Sequence, residues 1–275
     1  MKHLCTVVLL FTIWAGAPTP STSVGSRNSS AEVHLIIERA LRRAKRAEEQ
    51  AIAARYRHTL IQRARTFNED GETIADEKRL YRVEPVRGVP YAKLVAKNGN
   101  PIEGDDLRTE RTRWHAFLKE LNSDPTEKDP VKEQKEDNDI VFNEDLVTRY
   151  TADLQGIREL RGRPSYVLSF KPLSGRLPVR RRLDYALNKS RGEIWIDRAT
   201  YELARVSFQL MERVRIWWGI LGSISDATGH YERRPITEDV WLATELDLYF
   251  HRRILFSTTR RGQTSLWDQF ELVGE

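Results

Sequence analysis

Residues 191–210 read RGEIWIDRATYELARVSFQL, and the alternation within them decides the fold class. Successive side chains of a strand point to opposite faces. Ile194 and Ile196 therefore share one side, with Trp195 and Asp197 on the other. After a polar turn at Asp197 to Thr200, Ala204, Val206, Phe208 and Leu210 fall on one face and Arg205, Ser207 and Gln209 on the opposite one. This is a hairpin with one wet side and one greasy side, and the greasy side needs a cover: a helix, a second sheet or a ligand.

Downstream, VWLATELDLYF alternates again, with Leu242, Thr244, Leu246, Leu248 and Phe250 against Glu245 and Asp247. The last strand pair, RRILFSTTRRGQTSLWDQFELV, is expected to turn at Arg261-Gly262. Upstream, Tyr150 and Leu154 precede a turn at Arg161-Gly162, after which Tyr166, Leu168 and Phe170 alternate. Further strands are expected at Tyr56 to Arg65, Glu72 to Val86 and Val89 to Ile102, the last with a tight turn at Asn98-Gly99. Short gaps between strands make neighbours antiparallel. No run alternates strands with crossover helices, which argues against a parallel sheet.

Two helices stand out. Ser29 and Glu32 form a capping box, followed by Ile36 or Ile37, Ala40, Leu41, Ala44, Ala47, Ala51 and Ala54 at three- and four-residue steps, which predicts an amphipathic helix over about 30–55. A second helix, about 105–121, carries the bulky stripe Leu107, Trp114, Phe117, Leu118 and Leu121. The expected fold is α+β: one large curved antiparallel sheet covered by a long N-terminal helix and a second helix. The alanines of the first helix would leave room on the greasy face, and the aromatic residues of the second would fill it.

The chain opens with an apolar run from Leu4 to Ala17 followed by small and polar residues, the pattern of a signal peptide over about 1–25. The run is too short for a membrane span. Cys5 is the one cysteine and lies in that segment, so the remaining single domain, 26–275, would be free of disulfides; this favours a larger domain in a bacterial envelope, and hence a periplasmic location. With 45 basic and 40 acidic residues, the net charge of +5 gives no argument for nucleic acid. Charge is instead unevenly spread. SDPTEKDPVKEQKEDN, about 123–138, is acidic, almost without apolar residues, and reads as a mobile loop. Arg158 to Arg182 is rich in arginine, either a solvated strand edge or a place for an anionic head group.

Motifs for chemistry are missing. His34, His58, His115, His230 and His251 show no metal-ligand spacing, and there is no Gly-x-Ser-x-Gly elbow and no Gly-rich phosphate loop. The expectation is a protein that is not an enzyme and needs neither metal nor cofactor. RIWWGILGSI, 215–224, is either a buried strand and turn or an exposed apolar lip.

The order of elements resembles a family. Gly192-Glu193-Ile194-Trp195-Ile196-Asp197, with Leu203 to Val206 after it, and Gly162-Arg163-Pro164 followed by Tyr166 to Phe170, are similar to strands of bacterial periplasmic proteins related to the LolA-type lipoprotein-sorting fold. The resemblance covers about 145–275 well and the first half loosely. It implies a half-barrel of antiparallel strands closed by helices, with an apolar cavity that in the sorting proteins holds lipoprotein acyl chains; related folds act as envelope-stress sensors or outer-membrane receptors. The longer chain, the acidic insert and the longer leading helix depart from the carriers. The residues expected to line the groove are Ile194, Ile196, Val206, Phe208, Leu210, Leu246, Leu248 and Phe250, with Trp217 and Trp218 at the mouth. The partners would be lipid or lipoprotein acyl chains, and envelope proteins. The alternative is a sensor or scaffold whose cavity is filled by its own helices.

Overall fold

A computed structural model describes residues 25–123, 140–181, 183–216, 222–254 and 257–273. Nearly all of the segment expected as a signal peptide, nearly all of the acidic segment, and Trp217 and Trp218 lie outside the described residues. Twelve strands form one antiparallel sheet: β1 (Tyr56–Phe67), β2 (Thr73–Val86), β3 (Val89–Lys97), β4 (Asn100–Pro101), β5 (Tyr150–Leu160), β6 (Arg163–Pro172), β7 (Ser190–Asp197), β8 (Leu203–Leu210), β9 (Val214–Ile216), β10 (Gly222–Pro235), β11 (Trp241–Ile254) and β12 (Ser257–Leu272). The order is β4-β3-β2-β1-β12-β11-β10-β8-β7-β6-β5, with β9 beside the far end of β10. The sheet is not closed, and β4 and β5 are its edges. Pairing of β1 with β12 joins the two halves of the chain. Among the described residues there are four α-helices: α1 (Gly25–Glu49), α2 (Gly104–Asn122), α3 (Glu144–Val147) and α4 (Asp184–Leu187).

Turn chemistry explains the hairpins. Asn98-Gly99 and Arg161-Gly162 adopt positive φ at both positions (51° and 87°, 51° and 78°), the twist that two-residue hairpin loops require. The expected turn at Arg261-Gly262 is absent. β12 runs straight through it, and the pairing of β11 with β12 begins at Ile254 and Ser257. Gly262 sits inside the ladder, opposite Arg65 of β1 and Tyr249 of β11, and a Cβ there would make an ordinary 3.4 Å contact with the Phe67 ring.

The first helix also differs from expectation. α1 starts at Gly25, so Ser29 lies within the helix and not at its start. It ends at Glu49, well before residue 55; Ala51 takes a left-handed conformation (φ 47°) and a short 3-10 turn, Ile52–Arg55, redirects the chain into β1. Val33, Ile36 and Ala40 of α1 are buried against Leu168 and Ile196, with Ala152, Leu154, Tyr166 and Ile194 packed around them. α1 therefore covers β5, β6 and β7.

At the opposite end, Trp114 and Phe117 of α2 sit 4.9 and 4.7 Å from the Tyr91 ring, and the Tyr91 hydroxyl donates to buried Glu110 (2.6 Å). Tyr91 alternates with Ala92 and Leu94, which pack with Leu60, Tyr81, Val83 and Trp267 on the other side of the strand. The bulky stripe of α2 is thus spent on Tyr91 and does not fill the greasy face.

Candidate ligand-binding face

Cross-strand register carries one face across the sheet. Leu168 pairs with Ile194, Ile194 with Val206, Val206 with Tyr231, Tyr231 with Leu246, and Leu246 with Ser265. One step along, Phe170, Gly192, Phe208, Gly229, Leu248 and Gln263 pair in turn. Directly opposed residues point to the same side, so the sequence-chosen Ile194, Val206, Phe208, Leu246 and Leu248 share a single face, and Phe250, two residues past Leu248, belongs to it too.

Their surroundings differ. Ile196 is 0% exposed beneath α1 and belongs to the packed core, so it lines no open groove. Ile194 touches the edge of that core. Leu210 is buried at the far end of β8. Val206, Phe208, Leu246, Leu248 and Phe250 are half-buried, and none of them belongs to the core cluster that α1 forms on the sheet. Leu242 falls out of phase with them, because Thr244 is an extra residue on β11 opposite the Glu232–Arg233 step of β10 and breaks the alternation.

Two glycines shape this strip. A Cβ on Gly192 would lie 1.9 Å from the Ser207 carbonyl oxygen, so β7 and β8 approach too closely there for any side chain. A Cβ on Gly229 would meet the Leu248 side chain at 2.7 Å and the Phe208 ring at 3.0 Å; the ring lies across the bare backbone between β8 and β11.

Charged groups that sequence reading passed over fix α1 to the edge of this strip. Arg43 of α1 donates through Nε to Glu202 (2.7 Å) and through Nη2 to the Asp239 carbonyl (2.6 Å), and Arg233 Nη1 donates to the other Glu202 oxygen (2.8 Å). Arg39 donates to the Tyr201 hydroxyl (2.6 Å). Glu202 is almost wholly buried, so the clamp is a desolvated ion triad. Burial pushes the neighbouring Tyr231 hydroxyl up from its ordinary pKa. The signal for these contacts is tertiary: Arg43 and Glu202 are 159 residues apart.

The opposite face is polar, as the alternation demands. Glu193, Ser207, His230, Asp247 and Thr264 pair across it, with Arg205, Glu232 and Glu245 in the adjacent row. His230 Nε2 lies 3.3 Å from Glu245, and Thr264 donates to Asp247 (2.9 Å). Glu193, Ser207, His230, Asp247 and Tyr249 surround an open hollow of about 430 Å³. Buried Glu232 accepts from Arg161, Arg205 and Arg234. Burial opposes ionisation, but these three guanidinium groups hold its pKa down at about 2. Asp197 has a local task. Its Oδ1 accepts from the amides of Ala199 and Thr200 and from the Thr200 hydroxyl, while Arg163 grips both oxygens at 2.7 and 3.1 Å. Against the effect of burial, Arg163 and Thr200 keep this carboxyl below the usual carboxylate range. The polar turn of the quoted hairpin is thus organised by its own aspartate. No group of three or more His, Cys, Asp or Glu side chains among the described residues is placed to hold a metal ion, and no described helix is long and apolar enough to cross a membrane.

No protein-family model and no curated protein sequence matches the chain. Its structural neighbours are DUF1329 and LolA-superfamily proteins. A DUF1329-family protein from Desulfovibrio piger aligns over 87% of this chain and 92% of its own at 12% identity, with a TM-score of 0.31. A LolA-superfamily protein from Nitrosomonas europaea aligns over 82% and 94% at 11% identity, TM-score 0.29. An outer-membrane lipoprotein-sorting protein domain from Vibrio parahaemolyticus, described as putative, aligns over 82% and 90% at 10% identity, TM-score 0.33.

Proposed function

We propose that this is a binding protein of the bacterial envelope that takes an acyl chain, of a lipid or a lipoprotein, onto the strip formed by Val206, Phe208, Leu246, Leu248 and Phe250. The observation that supports this is the contrast along one continuous face. The residues under α1 are sealed, whereas this strip is apolar, contiguous in register and only half-buried. Adjacent strands lie about 4.8 Å apart, so the four strands β7, β8, β10 and β11 present a floor about 14 Å across, bounded by the packed end on one side and by Ser265 and Gln263 on the other.

Binding on such a floor is passive. Each CH₂ group removed from water contributes about 0.8 kcal/mol, so ten of them offset much of the cost of leaving a membrane, provided a cover closes over the chain. The clamp at Arg43, Glu202 and Arg233 holds α1 at one edge of the strip. Trp217 and Trp218, named from the sequence as the mouth, stay within the proposal. No reaction is assigned to the protein.

Native mass spectrometry of protein purified from envelope extract, followed by organic extraction, tests this. A discrete lipid or acylated peptide, lost in Leu248→Asp, is the expected result. An apo mass that also ignores added lipids and lipoproteins would sink the carrier reading. The protein would then be a scaffold or sensor, a reading favoured by the one end of the face that α1 already fills.

A further inference from the structure

One end of the sheet, where β6 finishes, β7 begins and β8 gives way to β9, carries exposed apolar and basic side chains together. Leu173, Val179, Tyr185 and Met211 lie there, each 40–46% exposed. Hydrogen bonds tie the segments that carry them into one cap. The Leu173 amide donates to the Arg149 carbonyl (2.9 Å), and Arg149 Nη1 donates to the carbonyl of Pro178, the residue before Val179, and to Asn188 Oδ1 (both 3.0 Å). Asp184, the residue before Tyr185, accepts from the amides of Arg180 and Arg181 (2.8 and 3.1 Å) and pairs with buried Arg149 at 3.3 Å. The Met211 amide donates to the Lys189 carbonyl (2.8 Å), and Lys189 Nζ donates to the Arg213 carbonyl (3.3 Å). The charge on this cap is one-sided. Among the described residues, segments 144–149, 171–189 and 211–216 hold eight lysines and arginines against four carboxylates, Glu144, Asp145, Asp184 and Glu212. Three of the four are already engaged: Asp184 with Arg149 and Arg181, Asp145 with Arg149 and Arg180, and Glu212 with Lys189. Lys171, Arg176, Arg213 and Arg215 are exposed and have no ion-pair partner among the described residues.

We propose that this end of the sheet docks on the surface of an anionic phospholipid bilayer, with Leu173, Val179, Tyr185 and Met211 entering the interface and Lys171, Arg176, Arg213 and Arg215 meeting lipid phosphates. Charge complementarity selects the partner, because the cations left over on the cap have no carboxylates to answer them. Neither feature is enough alone. Peripheral attachment rests on buried apolar area and attraction to anionic lipid together, and the cap offers a modest amount of each on the same surface. The residue types suit that depth: tyrosine has an apolar ring and a polar tip, and methionine adapts to an irregular apolar surface. The proposal stands without the apolar strip, whose residues take no part in it.

Co-sedimentation of the isolated protein with vesicles tests this, using an equal mixture of phosphatidylglycerol and phosphatidylcholine, and phosphatidylcholine alone, at about 0.1 M and about 1 M salt. The expected result is binding to the mixed vesicles at low salt that falls at high salt and on pure phosphatidylcholine. Combining Arg176→Gln, Arg213→Gln and Arg215→Gln should weaken it about fivefold per charge removed, about a hundredfold in all. These side chains hold no ion pair, so Tm stays at the parent value. Tyr185→Ser with Met211→Gln, both at exposed positions, should also weaken binding while the protein still melts cooperatively. Lys78→Gln, Arg82→Gln and Lys93→Gln together take the same charge from exposed positions on β2 and β3 and should leave binding within about threefold of the parent. Absence of binding, binding indifferent to lipid charge, or equal losses in the two triple variants would overturn the docking surface. Leu248→Asp separates this proposal from the acyl-chain reading. Vesicle binding kept in Leu248→Asp and lost in the Arg176, Arg213 and Arg215 variant supports docking at this end, whereas the reverse places the lipid contact on the strip and overturns it.

Discussion

Two stretches of the same sheet face share a sequence pattern and differ in what lies over them. At Ile194 and Ile196 the alternating apolar residues are closed by Val33, Ile36 and Ala40 of α1, and the helix is held there by buried ion pairs. At Val206, Phe208, Leu246 and Leu248 the alternation is as regular, yet the side chains stay half-buried. Period two states which side of a strand is greasy. It is silent on whether a helix, a neighbouring chain or a ligand covers it, because the cover comes from elements far away in sequence.

The sharpest way to break this comparison is to place the same charge in both stretches. Ile196→Asp puts a carboxylate where no solvent reaches and nothing can pair with it; a loss of about 4–5 kcal/mol is expected, read as absence of a cooperative melt by circular dichroism. A variant that still folds and melts near the parent would mean that α1 does not seal this end. Next comes Gly192→Ala. The methyl group would collide with backbone, which no rotamer can relieve, so a loss of about 3 kcal/mol is expected, at the upper end for overpacking. A Tm within 2 °C, about 1 kcal/mol or less for a domain this size, would show that β7 and β8 can separate and that the strip's curvature is not set there.

The polar side supplies a contrast of its own. Glu232→Gln removes the acceptor shared by Arg161, Arg205 and Arg234. About 2–3 kcal/mol is expected, below the range for a wholly buried pair because the guanidinium groups are partly exposed. The pH dependence has a definite sign. Its pKa is lowered in the folded state from an ordinary 4.5 to about 2, so its stabilisation is fully present above about pH 5 and is lost as pH falls through that interval. Urea melts at pH 6 and pH 3 should show the parent losing more on acidification than Glu232→Gln; equal losses would remove Glu232 from the account.

These residues mark where sequence reading succeeded and where it stopped. Strands, hairpin turns at Asn98-Gly99 and Arg161-Gly162, and the shared face were legible because alternation and turn chemistry are local. Gly262 misled because a glycine after arginine looks like a turn until its partners on two other strands, Arg65 and Tyr249, place it inside the ladder. The long helix was overextended because its alanine periodicity continues past Glu49, while the left-handed Ala51 ends it to feed β1. The bulky stripe of α2 suggested a filled groove, but its partner is Tyr91 on the other side of β3. The arginine clusters around Glu202 and Glu232 were invisible, since their members come from α1, β8, β10 and the turn after β5.

The smallest stability change is expected from Leu248→Asp, and it bears most directly on function. Leu248 is half-buried and packs beside Gly229, so an aspartate there can turn its carboxylate toward water, and a loss of about 1 kcal/mol is expected, seen as a modest drop in Tm. Bound acyl material should be lost in the same variant, because a fixed charge in the middle of the strip must be desolvated when a hydrocarbon chain lies over it. Ile196→Asp and Leu248→Asp would then separate cleanly, one abolishing the fold and the other the ligand. If Leu248→Asp unfolds the protein as completely as Ile196→Asp, the middle of the face is ordinary core, something already covers it, and the difference between the two stretches is one of degree.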